Sequence, residues 1–234
     1  MVKKLVKSIG IALLMVVFPV VASAIIQVKN ITDETVSFGI LALFFALASV
    51  IGFILYKKSI QAVNYGTNSK EHKRALMWFI PIVISELIVF VSGINLSEDI
   101  LYYVVLLIFT IFVGISEELF FRGIILNILK AKSTKYAILV SSVLFSLLHL
   151  TNLVEGISIQ YAILQVIFAF IFGIVAAQIT VITKSLLPAI IWHFSHDFIA
   201  FVTGNELNTI TTIILVIQCC ILITYSYYLK KSIE

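Results

Sequence analysis

Eight apolar runs follow one another along the chain, at roughly 8–28, 36–56, 76–94, 100–129, 136–151, 157–183, 185–203 and 207–229. Short polar connections separate them, and 57–75 is the one long polar loop. About 20 consecutive apolar residues cross a bilayer as a helix. In lipid, a backbone satisfies its own polar groups only as a helix or a closed barrel. The pattern therefore predicts an all-α, polytopic membrane protein of about eight transmembrane helices. No repeat, linker or low-complexity tract divides residues 1–234, which are read as a single membrane domain.

Composition sharpens this reading. The chain is 61% hydrophobic and 12% charged, with a mean hydropathy of +1.14. Soluble domains run at roughly 45–50% apolar and about 25% charged. A water-soluble enzyme, a disordered chain and a secreted disulfide scaffold are thereby excluded. The two cysteines, Cys219 and Cys220, are adjacent within an apolar run and read as packing residues.

A net charge of +4 could suggest nucleic acid as a partner. The basic residues lie between the apolar runs, however, where they report topology instead. With the N-terminus in the cytoplasm and the runs alternating in direction, fourteen of the sixteen basic residues fall on the cytoplasmic side. Only Lys29 is placed outside, and Arg122 lies within a run. The acids Asp33, Glu34, Glu98, Asp99, Glu155 and Glu206 fall outside. Both termini are therefore expected in the cytoplasm. Lys3, Lys4 and Lys7 before an apolar stretch, and Ala22-Ser23-Ala24 within it, also resemble a cleaved signal peptide. The stretch is long enough to span, and a retained first helix is the reading adopted. Lysine outnumbers arginine fourteen to two, a bias that points to an AT-rich bacterial genome.

Ionisable side chains inside a bilayer cost at least ~2.5–3.5 kcal/mol each on insertion scales and usually carry function. Eight fall within the apolar runs: Glu86, Glu117, Glu118, Arg122, His149, His193, His196 and Asp197. At about 1.5 Å per residue, Glu117 and His149 each lie roughly 20 Å from the cytoplasmic end of their helices, and His193 and Asp197 about 12 and 18 Å. Three helices thus carry these groups to similar depth. Glu118 and Arg122 are four apart and face each other on one helix, as a pair that neutralises itself. Glu117 is turned ~100° away and is the carboxylate free for chemistry. His193 and Asp197, also four apart, face one cavity. For His196 the structural reading is a packed or interface histidine. Glu86 is open between a structural hydrogen bond and a role in a substrate or proton path.

Glu117-Glu118-Leu119-Phe120-Phe121-Arg122 fits EExxxR, Phe145 to His149 fits FxxxH, and His193 to Asp197 fits Hxxx[N/D]. In this order, on separate apolar helices, the three motifs resemble the CPBP family of CAAX proteases and bacteriocin-processing proteins, also called Abi, which includes the type II CAAX prenyl endopeptidases. The resemblance covers about residues 100–203. It implies an intramembrane endopeptidase in which Glu117 and His149 activate water, while His193 and Asp197 stabilise the oxyanion or orient the water. Glu118 and Arg122 would brace the site. The last motif position is often Asn, which can donate a hydrogen bond; Asp197 donates only when protonated, and so could instead orient His193 or ligate a metal. Glu117, His149 and His193 are the candidate ligands for a zinc ion, although no HExxH helix is present. A metal-free site is expected.

The expected substrate is a peptide or a membrane-protein segment within the lipid bilayer, with no nucleic acid involved. Prenylated substrates fit poorly with a bacterial source. The alternative is a bacteriocin immunity or self-protection protein that acts without hydrolysis. A proton-coupled transporter using Glu86, Glu117 and Asp197 is a third reading, against which stands the lack of an inverted repeat.

Overall fold

The computed structural model describes residues 2–60, 79–155, 157–204 and 208–233. Most of the polar stretch 57–75, and the start of the third apolar run, lie outside the described residues. So does Glu206. Everything described is helix or short connection: α1 (Val2–Val28), α2 (Glu34–Ile60), α3 (Ile80–Leu87), α4 (Ile100–Glu118), α5 (Leu126–Lys130), α6 (Thr134–Leu148), α7 (Ile159–Thr183), α8 (Leu187–Val202) and α9 (Thr209–Lys230). A π-helical segment, Leu119–Ile125, joins α4 to α5. A 3₁₀ turn, Ile88–Ser92, extends α3, and another, His149–Glu155, extends α6.

Six of these stretches are long and apolar enough to cross a membrane, among them Ile100–Lys130 as one continuous span. The other two apolar helices, Ile80–Ser92 and Leu187–Val202, are shorter. At 1.5 Å per residue the 16 residues of α8 reach about 24 Å, less than a ~30 Å hydrocarbon core. Pro81 and Pro188 occupy the first turn of α3 and α8, where a missing N–H is tolerated. The chain is thus an all-α, multi-pass membrane protein.

The polar connections carry the helix starts. Asp99, Ser133 and Ser158 each accept a hydrogen bond from the backbone N–H three residues on, at the heads of α4, α6 and α7. Asn208 and Thr211 form a reciprocal capping box at the head of α9. Apolar side chains such as Leu13, Val17, Leu43, Leu47, Ile163, Ile167, Ile213 and Val216 stay exposed on the outer faces. In water this would be a liability; against lipid it costs nothing. Inside, Phe120, Phe121, Leu106, Phe172 and Leu222 are fully buried.

Two helices approach unusually closely. A Cβ added to Gly114 on α4 would stand 3.1 Å from the Phe194 backbone nitrogen and 3.2 Å from the Ile190 carbonyl oxygen on α8. The missing side chain lets the two backbones meet one turn before Glu117 and Glu118, opposite His193.

Candidate active site

The contact at Gly114 brings the EExxxR and Hxxx[N/D] motifs together. Glu118 and Arg122 form a fully buried pair, with Arg122 Nη1 donating to Glu118 Oε1 over 2.7 Å. The pair is not self-contained, however. The same Oε1 lies 2.9 Å from His193 Nδ1. A carboxylate only accepts, so Nδ1 carries the proton and Nε2 is turned the other way. There it stands 3.8 Å from Glu117 Oε2 and 3.6 Å from Asp197 Oδ2. Both distances exceed a hydrogen bond. They leave Nε2 flanked by two carboxylates without being tied to either.

The π-helical segment begins directly after Glu118 and buries all seven of its residues, Arg122 included. Such segments interrupt α-helices chiefly at functional sites. Arg122 lies over the ring of Phe145, 4.2 Å from its centroid. A Cβ on Gly173 of α7 would come within 3.3 Å of Arg122 Nη2. Phe145 therefore has a place in the FxxxH motif. Its ring meets His149 edge-on at 5.2 Å and His193 at 5.7 Å between centroids, so one phenylalanine sets both imidazoles. The motif pattern carried that signal, but the spacing alone gave Phe145 no role.

Glu117, His149, His193 and Asp197 all line one cavity of about 510 Å³. His149 reaches it from the 3₁₀ end of its helix, and among the described residues no hydrogen bond or ion pair joins it to the other three. Glu118 and Arg122 sit behind the wall.

A second polar cluster adjoins the first. Trp192 Nε1 donates to Glu86 Oε1 over 2.7 Å, and His196 Nδ1 lies 3.0 Å from Glu86 Oε2. His196 stacks on Phe168 and Trp192 on Phe172, at 4.9 and 3.9 Å between centroids. Of the two roles open to Glu86, the structure shows the hydrogen bond. Its partners lie 106 and 110 residues away along the chain, so no local pattern in the sequence announced them.

The profile of the family described as Type II CAAX prenyl endopeptidase Rce1-like matches residues 99–199. Over this segment, somewhat under half of the chain, the protein is similar to that family. The matched residues run from the head of α4 to near the end of α8, and so contain all three motifs; α1 to α3 and α9 lie outside them. No curated protein and no solved structure matches the chain. This similarity supports an endopeptidase of CAAX-protease type.

Zinc makes a strict demand on its donors. A tetrahedral site needs at least three protein ligands about 2.0–2.2 Å from one ion. Among the described residues no three of His, Cys, Asp or Glu are grouped closely enough to hold a metal ion. His193 Nε2 is turned toward the cavity, yet no hydrogen bond or ion pair among the described residues ties His149 to it or to Glu117. The arrangement does not fit a chelated metal.

Proposed function

We propose that the protein is an intramembrane endopeptidase in which Glu117 and His149 activate water against a peptide bond. The observation that carries this is the setting of His193. One ring nitrogen is fixed by Glu118, and the other faces Glu117 and Asp197 in the cavity wall.

The reaction follows from these positions. Water enters between Glu117 and His149, and its oxygen attacks the carbonyl carbon as Glu117 takes a proton. Negative charge then develops on the carbonyl oxygen. Protonated His193 donates from Nε2 to that oxyanion, supported from behind by the Glu118 carboxylate. The C–N bond breaks as the leaving amine takes the proton back from Glu117. Arg122 offsets the charge of Glu118, and the Asp197 carboxylate, 3.6 Å from Nε2, favours the protonated imidazole from the open side. A low-dielectric cavity strengthens each of these interactions. The substrate is a peptide or membrane-protein segment. The Rce1-like match speaks for hydrolysis over immunity without it.

Glu117→Gln keeps the shape of the side chain and removes the base. The test compares peptides released from membranes of cells making wild type or Glu117→Gln at equal protein levels, quantified by mass spectrometry. Wild type should release peptides that the variant does not. Equal release from both would overturn the peptidase reading.

A further inference from the structure

The cavity occupies only one half of the bundle. On α4 its lining residues run from Phe109 to Glu117, on α7 from Tyr161 to Phe172, and on α9 from Thr211 to Gln218. On α7 and α9 these are the early parts, and on the continuous span Ile100–Lys130 they end near its middle; all three helices enter from the same end. On α6 and α8, which run the other way, the lining lies late, from Phe145 to Asn152 and from His193 to Gly204. The Asn95 backbone N–H, just beyond α3, donates to the Val202 carbonyl at the end of α8, which ties two connections of that end together.

The opposite half is closed. Leu119 to Ile125 are all buried, and Ala137, Val175, Ala176 and Ala177 show no exposed surface. None of these residues lines the cavity. Among the described residues, the cavity therefore reaches only one end of the bundle.

The two ends also differ in charge. Connections at the open end hold Asp33, Glu34, Glu98 and Asp99 against one base, Lys29. The closed end holds Lys57, Lys58, Lys130, Lys132, Lys135, Lys184, Lys230 and Lys231, and the N-terminal Lys3, Lys4 and Lys7. Basic connections stay in the cytoplasm.

Resting on the peptidase reading for the chemistry, we infer that this site takes its substrate from the extracytoplasmic side, as an apolar peptide segment that has already been exported or inserted. The walls above the polar floor are aromatic, with Phe38, Phe45, Phe109, Phe168 and Phe201 among them. They suit apolar side chains, and they receive no cytoplasmic peptide directly. The step that supplies the substrate is membrane translocation, and the products leave on the outer side.

Access can be read independently of catalysis. In a background with Cys219 and Cys220 changed to Ala, Ala200→Cys puts a thiol in the cavity wall and Lys132→Cys puts one at the closed end. Intact cells are treated with a membrane-impermeant sulfonated maleimide, then opened and labelled with biotin maleimide. The Ala200→Cys protein should lose its later labelling, and Lys132→Cys should keep it. In inverted vesicles the pattern should reverse. Blocking of Ala200→Cys only from the cytoplasmic face, or from neither face, would overturn the inference. Release of membrane peptides is measured in the same cells. Outside blocking that leaves release intact would sink the peptidase reading at this cavity while the access result stood.

Discussion

Arg122 heads the largest side chains fully withdrawn from the surface. It is held by one short bond to Glu118 and by the face of Phe145. Its Nε and Nη2 have no hydrogen-bond partner among the described residues. Removing one member of a buried ion pair costs on the order of 3–5 kcal/mol, because the other charge is left uncompensated. Arg122→Ala is therefore expected to lower the amount of protein that accumulates in the membrane, read by immunoblot of the membrane fraction. Glu117→Gln should accumulate normally. Equal levels of Arg122→Ala and wild type would show that the pair does not hold the fold. The donor set also bears on metal. Groups spaced for hydrogen bonds and water should work without an ion, so purified protein is expected to keep its cleavage activity after chelation. Activity lost on chelation and restored by zinc alone would recast Glu117, His149 and His193 as ligands.

At the scale of elements, the distance between α4 and α8 sets the site. Gly114 is where their backbones touch, one turn from Glu117 and Glu118. A methyl group there requires the helices to part by a few tenths of an ångström. That is enough to stretch the 2.9 Å contact between Glu118 and His193. Gly114→Ala is expected to reduce peptide release per molecule of membrane-inserted protein. Gly39→Ala serves as the control, since its added Cβ would find its nearest neighbour only at 4.0 Å. Similar activity of both variants would show that the close approach does not position the site. The π-helical segment belongs to the same scale. It follows Glu118 without a proline, contains Gly123, and packs completely inside the bundle. Hydrophobic periodicity carries no sign of it, because every residue from Leu119 to Ile125 is buried whichever way the helix winds.

For the whole molecule, orientation decides which compartment the cavity serves. A reporter fused after Tyr65 is expected to read cytoplasmic, and one fused after Asn95 external. The first position follows the basic residues Lys57 and Lys58, and the second precedes Glu98 and Asp99. Reversed signals would turn the bundle over and give the cavity to the cytoplasm. The geometry of the site would be unchanged.

What the sequence by itself determined is local and additive. The apolar runs, the basic and acidic ends, and the ionisable residues inside the runs follow from transfer free energies counted residue by residue. The bond from Arg122 to Glu118 follows from a spacing of four on one helix. Such features survive any rearrangement of the bundle. Tertiary structure decided that Glu118 is shared with His193, 75 residues away. It gave Glu86 to Trp192 and His196, set Phe145 between Arg122 and two imidazoles, and opened one half of the bundle while closing the other. Those contacts depend on how far each helix is rotated and shifted against its neighbours. Small residues such as Gly114 and Gly173 fix that placement through close packing, and packing is a property of two surfaces together, which neither helix displays in its own pattern.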